Sequence, residues 1–211
     1  MKNQSTRRVS STGMSSRRTL LKSAAFGAAG MVFASPVAAQ LRIVVSGAQF
    51  TPLPIAIPDF ASSDPTFGRE VADIVRANLR RSGLFSPLDS SEMANMVGDV
   101  QAEPDFAQWQ SKNVDAVLMG QVERGQQIQS SVRVWDTRAQ VQVEGRSLAS
   151  DATDASAWRR IAHIVSDAVY TSLTGESGYF DTKIVYVAES GPKANRVKRL
   201  AIMDQDGENL Q

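Results

Sequence analysis

The chain has 211 residues, with 23 Lys and Arg, 22 Asp and Glu, one His and no Cys. Without Cys no disulfide can form, so any exported form must be held by its core. A lone His and no Cys also fall short of the ligand sets that zinc, copper or haem sites use, so no metal or cofactor is expected.

The chain opens on an export signal. Its leading region carries Lys2, Arg7, Arg8, Arg17, Arg18 and Lys22 and no acidic residue. An apolar run over 20–34 follows, broken by Gly27 and Gly30 and ended by Pro36. It is shorter than the roughly twenty apolar residues of a membrane-spanning helix, so a cleaved signal is favoured over a permanent anchor. Val37 and Ala39 suit signal peptidase, which places the cut between Ala39 and Gln40. Ser16-Arg17-Arg18-Thr19-Leu20-Leu21-Lys22 resembles the twin-arginine export motif, although the same arginines also suit a Sec signal. No Cys follows the apolar run, which speaks against a lipoprotein. The expected destination is the periplasm.

Cleavage at that point changes the charge. The signal holds six of the basic residues and none of the acidic ones, so the net of +1 becomes 17 basic against 22 acidic residues, or −5. Nucleic acid and anionic lipid are therefore poor partners, and no direct membrane insertion is expected after processing.

Leu41-Arg42-Ile43-Val44-Val45 is a β-branched run that reads as a strand. Ile55-Ala56-Ile57 reads as a core strand between Pro54 and Pro58. Phe67, Val71, Ile74, Val75, Asn78 and Leu79 then recur at helical spacing, with Arg69, Asp73, Arg76 and Arg80 elsewhere around the wheel. Asp64 caps this helix, Pro65 occupies its first position and Gly83 its left-handed end. A short, Pro-interrupted edge strand covers 84–88. Residues 89–104 read as a loop with one helical turn, and 105–112 as a short helix with Phe106 and Trp109 on one face.

Residues 116–122 form a buried strand, 128–135 a strand by alternation, and 141–148 another after a turn at 137–140. A longer helix carries Trp158, Ile161, Ala162, Val165, Ala168, Val169 and Leu173, with Asp154 as cap and Gly175 as stop. This order implies an α/β domain of the α+β type, a mixed sheet with packed helices. Beyond Gly175, strands over 183–188 and 200–204 flank a polar loop, and Asp204-Gln205-Asp206-Gly207 makes a turn. Two strands are not stable alone. A strand pair ending in Asp-x-Asp-Gly reads as the truncated start of a β-propeller. The expected domains are 1–39 signal, 40–175 α/β domain and 176–211 incomplete first blade.

No residue pattern supports catalysis. His163 lies away from Ile161, Val165 and Ala168 and reads as an exposed structural histidine without a nucleophile at recognisable spacing. Asp204 and Asp206 lack the remaining ligands of a calcium loop and read as a turn. Trp109, Trp158, Met93, Met96 and Met119 read as packing, and the basic stretch 193–199 as a solvated hairpin loop.

Three phrases occur in order after the signal. The first is Ile55-x-Ile57-Pro58-Asp59-Phe60 leading to Leu79-x-x-Ser82-Gly83-Leu84-Phe85-x-Pro87-Leu88. The second is Trp109 followed by Val114-Asp115-Ala116-Val117-Leu118-Met119-Gly120-Gln121-Val122, and the third Gly178-x-Phe180-x-Thr182-x-Ile184-x-Tyr186-Val187. Together they resemble the TolB family of periplasmic Tol–Pal proteins, across the whole mature chain but only the first part of a full-length member. The resemblance implies an N-terminal α/β domain, a C-terminal β-propeller that binds the lipoprotein Pal, and a mature N-terminus that binds TolA. It further implies a role in outer-membrane integrity and in constriction of that membrane at division.

The positions matching the TolA-binding segment are Gln40, Leu41, Arg42, Ile43, Val44, Val45 and Ser46. Pal-binding positions fall beyond this chain. The segment 41–45 suits either the first strand of its own sheet or strand addition to a partner, and the two describe alternative states of one free terminus. The competing functions are an exported propeller enzyme and a peptidoglycan- or sugar-binding module.

Overall fold

The computed structural model describes residues 51–94, 96, 99–152 and 156–211. The signal, its cleavage site, the 41–45 strand, the segment 40–46 and the Asp154 cap therefore lie outside the described residues.

Strand β1 (Leu53–Ala56) leads through a loop into helix α1 (Pro65–Arg81), and β2 (Phe85–Pro87) follows. The Asp64 side chain accepts the backbone N–H groups of Thr66 and Phe67, and Pro65 opens the helix as its spacing predicts. Gly83 ends it at φ +73°, in the left-handed region that only glycine enters without strain. A single 3-10 turn (Ser90–Met93) and α2 (Phe106–Ser111) precede the long meander β3 (Ala116–Arg124), β4 (Gln127–Asp136) and β5 (Val141–Asp151). Helix α3 (Ala157–Thr174) closes the domain at Gly175, φ +80°. The hairpin β6 (Lys183–Ser190) and β7 (Val197–Asp204) forms a separate two-stranded sheet.

The main sheet is mixed, in the order β2-β1-β3-β4-β5. Strand β1 runs parallel to β2 and β3, whereas β3, β4 and β5 are antiparallel. The short Pro-containing strand sits at the edge, where a missing N–H costs nothing. Helices α1 and α3 cover one face, burying Ile55, Val71, Leu79, Leu118, Val134, Ile161 and Leu173 together. The 3-10 turn and α2 cover the other, burying Ala56, Met93, Trp109, Val117, Met119 and Trp135. Strand β3 is thus covered on both sides, which explains its continuous apolar run beside the alternation of β4.

Ile57 is buried but lies just past β1, because Pro58 interrupts the ladder. Its carbonyl accepts Nε of Arg76 at 2.8 Å instead. Arg76 differs from the sequence expectation of a residue off the buried stripe: it is 4% exposed. Its guanidinium pairs with Asp59 and Asp73, each at 2.6 Å. The planar fork lets one buried cation serve three acceptors. Replacing Arg76 with Met keeps the apolar stem and removes every donor. It is expected to lower the unfolding free energy by about 2 kcal/mol, read from urea denaturation.

Candidate functional site

A polar cluster lies where the turn after β7 meets α1 and α3. It begins with Asn78, at an inward position of α1. A polar group on a buried stripe needs partners, and Asn78 finds them from three elements. Its Nδ2 reaches Nδ1 of His163 at 2.9 Å and donates to Oγ of Ser166 at 3.0 Å, both on α3. Its Oδ1 accepts from Nε2 of Gln205 at 2.9 Å, in the turn, and from Nη1 of Arg81 at 3.3 Å. Arg81 also donates to Oε1 of Gln205 at 3.0 Å.

His163 is 2% exposed, which corrects the expectation of a surface histidine. The apolar stripe of α3 marks one covered side, and α1 and the turn after β7 cover the flank that carries His163 as well. Asn78 at an apolar position of α1 was the one sequence signal of a buried polar partner. Nε2 of His163 lies 3.5 Å from Asp206 and has no hydrogen-bond partner among the described residues. Burial pushes the imidazole pKa below its ordinary value, against the opposing pull of Asp206 and Asp204.

The turn expected at 205–207 is present, and its two acidic residues are held from both sides. Asp206 pairs with Nη2 of Arg159 at 2.5 Å. Asp204 receives Lys183 and Asn209. Burial alone would raise the Asp204 carboxyl, but these donors hold it below its ordinary value. His163, Asp204 and Asp206 bring ligand atoms within 4.8 Å of one another, a set that divalent cations use. Here Arg159 and Lys183 already neutralise both carboxylates, so the cluster has the chemistry of a hydrogen-bonded clasp.

A second anchor lies one turn along α3. The Asp167 carboxylate accepts the successive N–H groups of Phe180 and Asp181 at 2.7 and 3.1 Å. Gly178 crosses so close that a Cβ there would meet Asp167 at 2.3 Å. Phe180 is fully buried against Tyr170, and Arg160 grips Asp181. The linker and the turn are therefore both tied to α3.

The hairpin presents a different surface outward. Val185 faces Ile202 and Val187 faces Leu200 across the pair, so all four share one side. They are 61, 41, 54 and 77% exposed respectively. Past the turn the chain runs back along β7, where Ile202 and Gln211 exchange backbone hydrogen bonds of 2.9 Å. The basic stretch expected to be a solvated loop is exposed, with Arg196 and Lys198 paired to Glu189. Met93, Met119 and Trp109 are buried and Met96 and Trp158 partly so, as packing residues. Gln40, Leu41, Arg42, Ile43, Val44, Val45 and Ser46, the expected partner segment, lie outside the described residues.

Residues 41–143 match the TolB amino-terminal domain family. The chain is also 44% identical, over 201 residues and 93% of its length, to the Tol-Pal system protein TolB of Paramagnetospirillum magneticum. The chain belongs to the TolB family. It spans 44% of the length of that curated relative. The crystal structure of TolB from Acinetobacter baumannii superposes with a TM-score of 0.63 at 26% identity, over 82% of this chain and 41% of that one. The mixed α/β architecture is thus that of a TolB structure.

Proposed function

We propose that this protein is a periplasmic adaptor of the Tol–Pal system, which links TolA to Pal and so supports outer-membrane integrity and constriction at division. The observation that carries the reading is the 44% identity to a Tol-Pal system TolB across 93% of the chain. Its N-terminal signal is cleaved after Ala39, and the new terminus, Gln40 to Ser46, binds TolA as an added strand. Residues 176–211 begin a β-propeller that carries the Pal site. The open apolar side of Val185, Val187, Leu200 and Ile202 and the return of the chain along β7 support that assignment, since a propeller blade is a meander covered by its neighbour. The protein acts by presenting surfaces and performs no catalytic step.

Affinity recovery of the tagged natural protein from a detergent extract of the cell envelope tests the reading. TolA and Pal are expected to come with it. Recovery of neither, from cells that make both, would overturn the proposal.

A further inference from the structure

The polar clasp contains a single titratable ring whose two nitrogens face groups of opposite demand. The Asn78 amide is the key to its state. Arginine donates only, so Arg81 fixes the Oδ1 end of Asn78 and the Oε1 end of Gln205 toward itself. The Nδ2 end of Asn78 must then face His163 and Ser166. Facing an amide donor, Nδ1 of His163 accepts, and the ring carries its one proton on Nε2, toward Asp206.

A second proton can enter only at Nδ1, where it would point at the Asn78 amide donor. Turning Asn78 over would offer its oxygen to the new proton, but its NH2 would then face the donors of Gln205 and Arg81. Turning Gln205 over as well would set its NH2 against Arg81. Each route breaks at least one of the contacts, Gln205 to Asn78 or Arg81 to Gln205, that hold the turn after β7 to α1. We propose that His163 is a proton-operated latch, whose neutral ring holds the turn on the helix pair and whose protonation releases it.

The charged groups around the ring come from every element packed on it. Asp204 and Asp206 belong to β7 and its turn, Asp181 to the linker before β6, Arg159 to α3 itself, Arg81 to α1 and Lys183 to β6. The three carboxylates favour the cation, yet each is compensated: Asp206 by Arg159, Asp204 by Lys183 and Asn209, and Asp181 by Arg160. Burial therefore decides, and the folded ring titrates below its ordinary value of 6.5. A depressed folded pKa means that the latch is fully closed above that ordinary value and weakens as the pH falls below it. The latch does not depend on the adaptor reading, because it concerns groups within this chain alone.

The chain has one histidine, so ring resonances report His163 without assignment. At about pH 7.5 the full chain is expected to show the Nε2–H tautomer. On moving to about pH 5, across the histidine range, amide-exchange protection over 202–211 is expected to be lost. That comparison is corrected for intrinsic exchange, and amides of β3 and β4 keep their protection. In His163→Gln the acid loss disappears. In Asn78→Asp a carboxylate accepts from the protonated ring, so the ring titrates above its ordinary value and acid no longer frees the turn. Undiminished acid loss in His163→Gln, or a ring that titrates with no change over 202–211, overturns the latch. Should His163→Gln not fold, an acid loss in Asn78→Asp equal to that of the parent chain overturns it as well.

Discussion

A chain lacking residues 41–46 is expected to lose binding to TolA altogether while keeping its fold. The deleted stretch is rich in β-branched residues and follows directly on Gln40, the first residue after the proposed cleavage site. An extended peptide of six residues reaches roughly 20 Å, the length of an ordinary strand. It can thus supply a full ladder of main-chain hydrogen bonds to a partner's sheet edge, with alternate side chains giving specificity. Calorimetric titration of TolA into the parent and deleted chains reads the effect, and urea denaturation confirms that both are folded. An unchanged affinity would remove the segment from the proposed interface.

The largest loss of stability is expected from Phe60→Ala, at about 3–5 kcal/mol. Phe60 is 1% exposed and fills the space above Gly120 of β3, where a Cβ would stand 2.5 Å from the ring. Its carbonyl lies equally close to α1, 2.1 Å from where a Cβ of Gly68 would be. The next residue rejoins the sheet, with Ala61 N–H on the Gly120 carbonyl at 2.8 Å and its own carbonyl accepting from Val122 at 2.9 Å. One aromatic ring therefore sets the spacing between helix and sheet, and a small domain has only about 5–15 kcal/mol to lose. Gly120→Ala in the parent chain should cost about 1–3 kcal/mol by overpacking. Combined with Phe60→Ala, which empties the space, it should cost far less. Urea unfolding of both single variants and the double variant measures this coupling. Additivity within about 0.5 kcal/mol would show that the ring and the glycine do not share the site.

The phrases that identified the family correspond to junctions. Ile57-Pro58-Asp59-Phe60 supplies the carbonyl and carboxylate that hold Arg76 and the ring that rests on Gly120. Gly120 itself belongs to the second phrase. In the third, Gly178 and Phe180 fasten the linker to Asp167. These residue types recur together because close approach needs a glycine and the approaching group is a large ring or a buried ion.

Local order was legible for a physical reason: periodicity, caps and breakers act within a few residues. Asp64, Pro65 and Gly83 delimit α1, Gly175 stops α3, and the alternation of β4 marks its buried side. The burial of Arg76 and His163 was not legible in this way. Each depends on which surfaces the chain folds over its helix flank, namely the loop after β1 for Arg76, and α1 with the turn after β7 for His163. By itself the sequence determined the family and most of the elements among the described residues. Tertiary structure alone decided which polar groups are buried. A helix specifies its own hydrogen bonds, but not what will later cover its sides, and burial is what turns a polar side chain into a clasp.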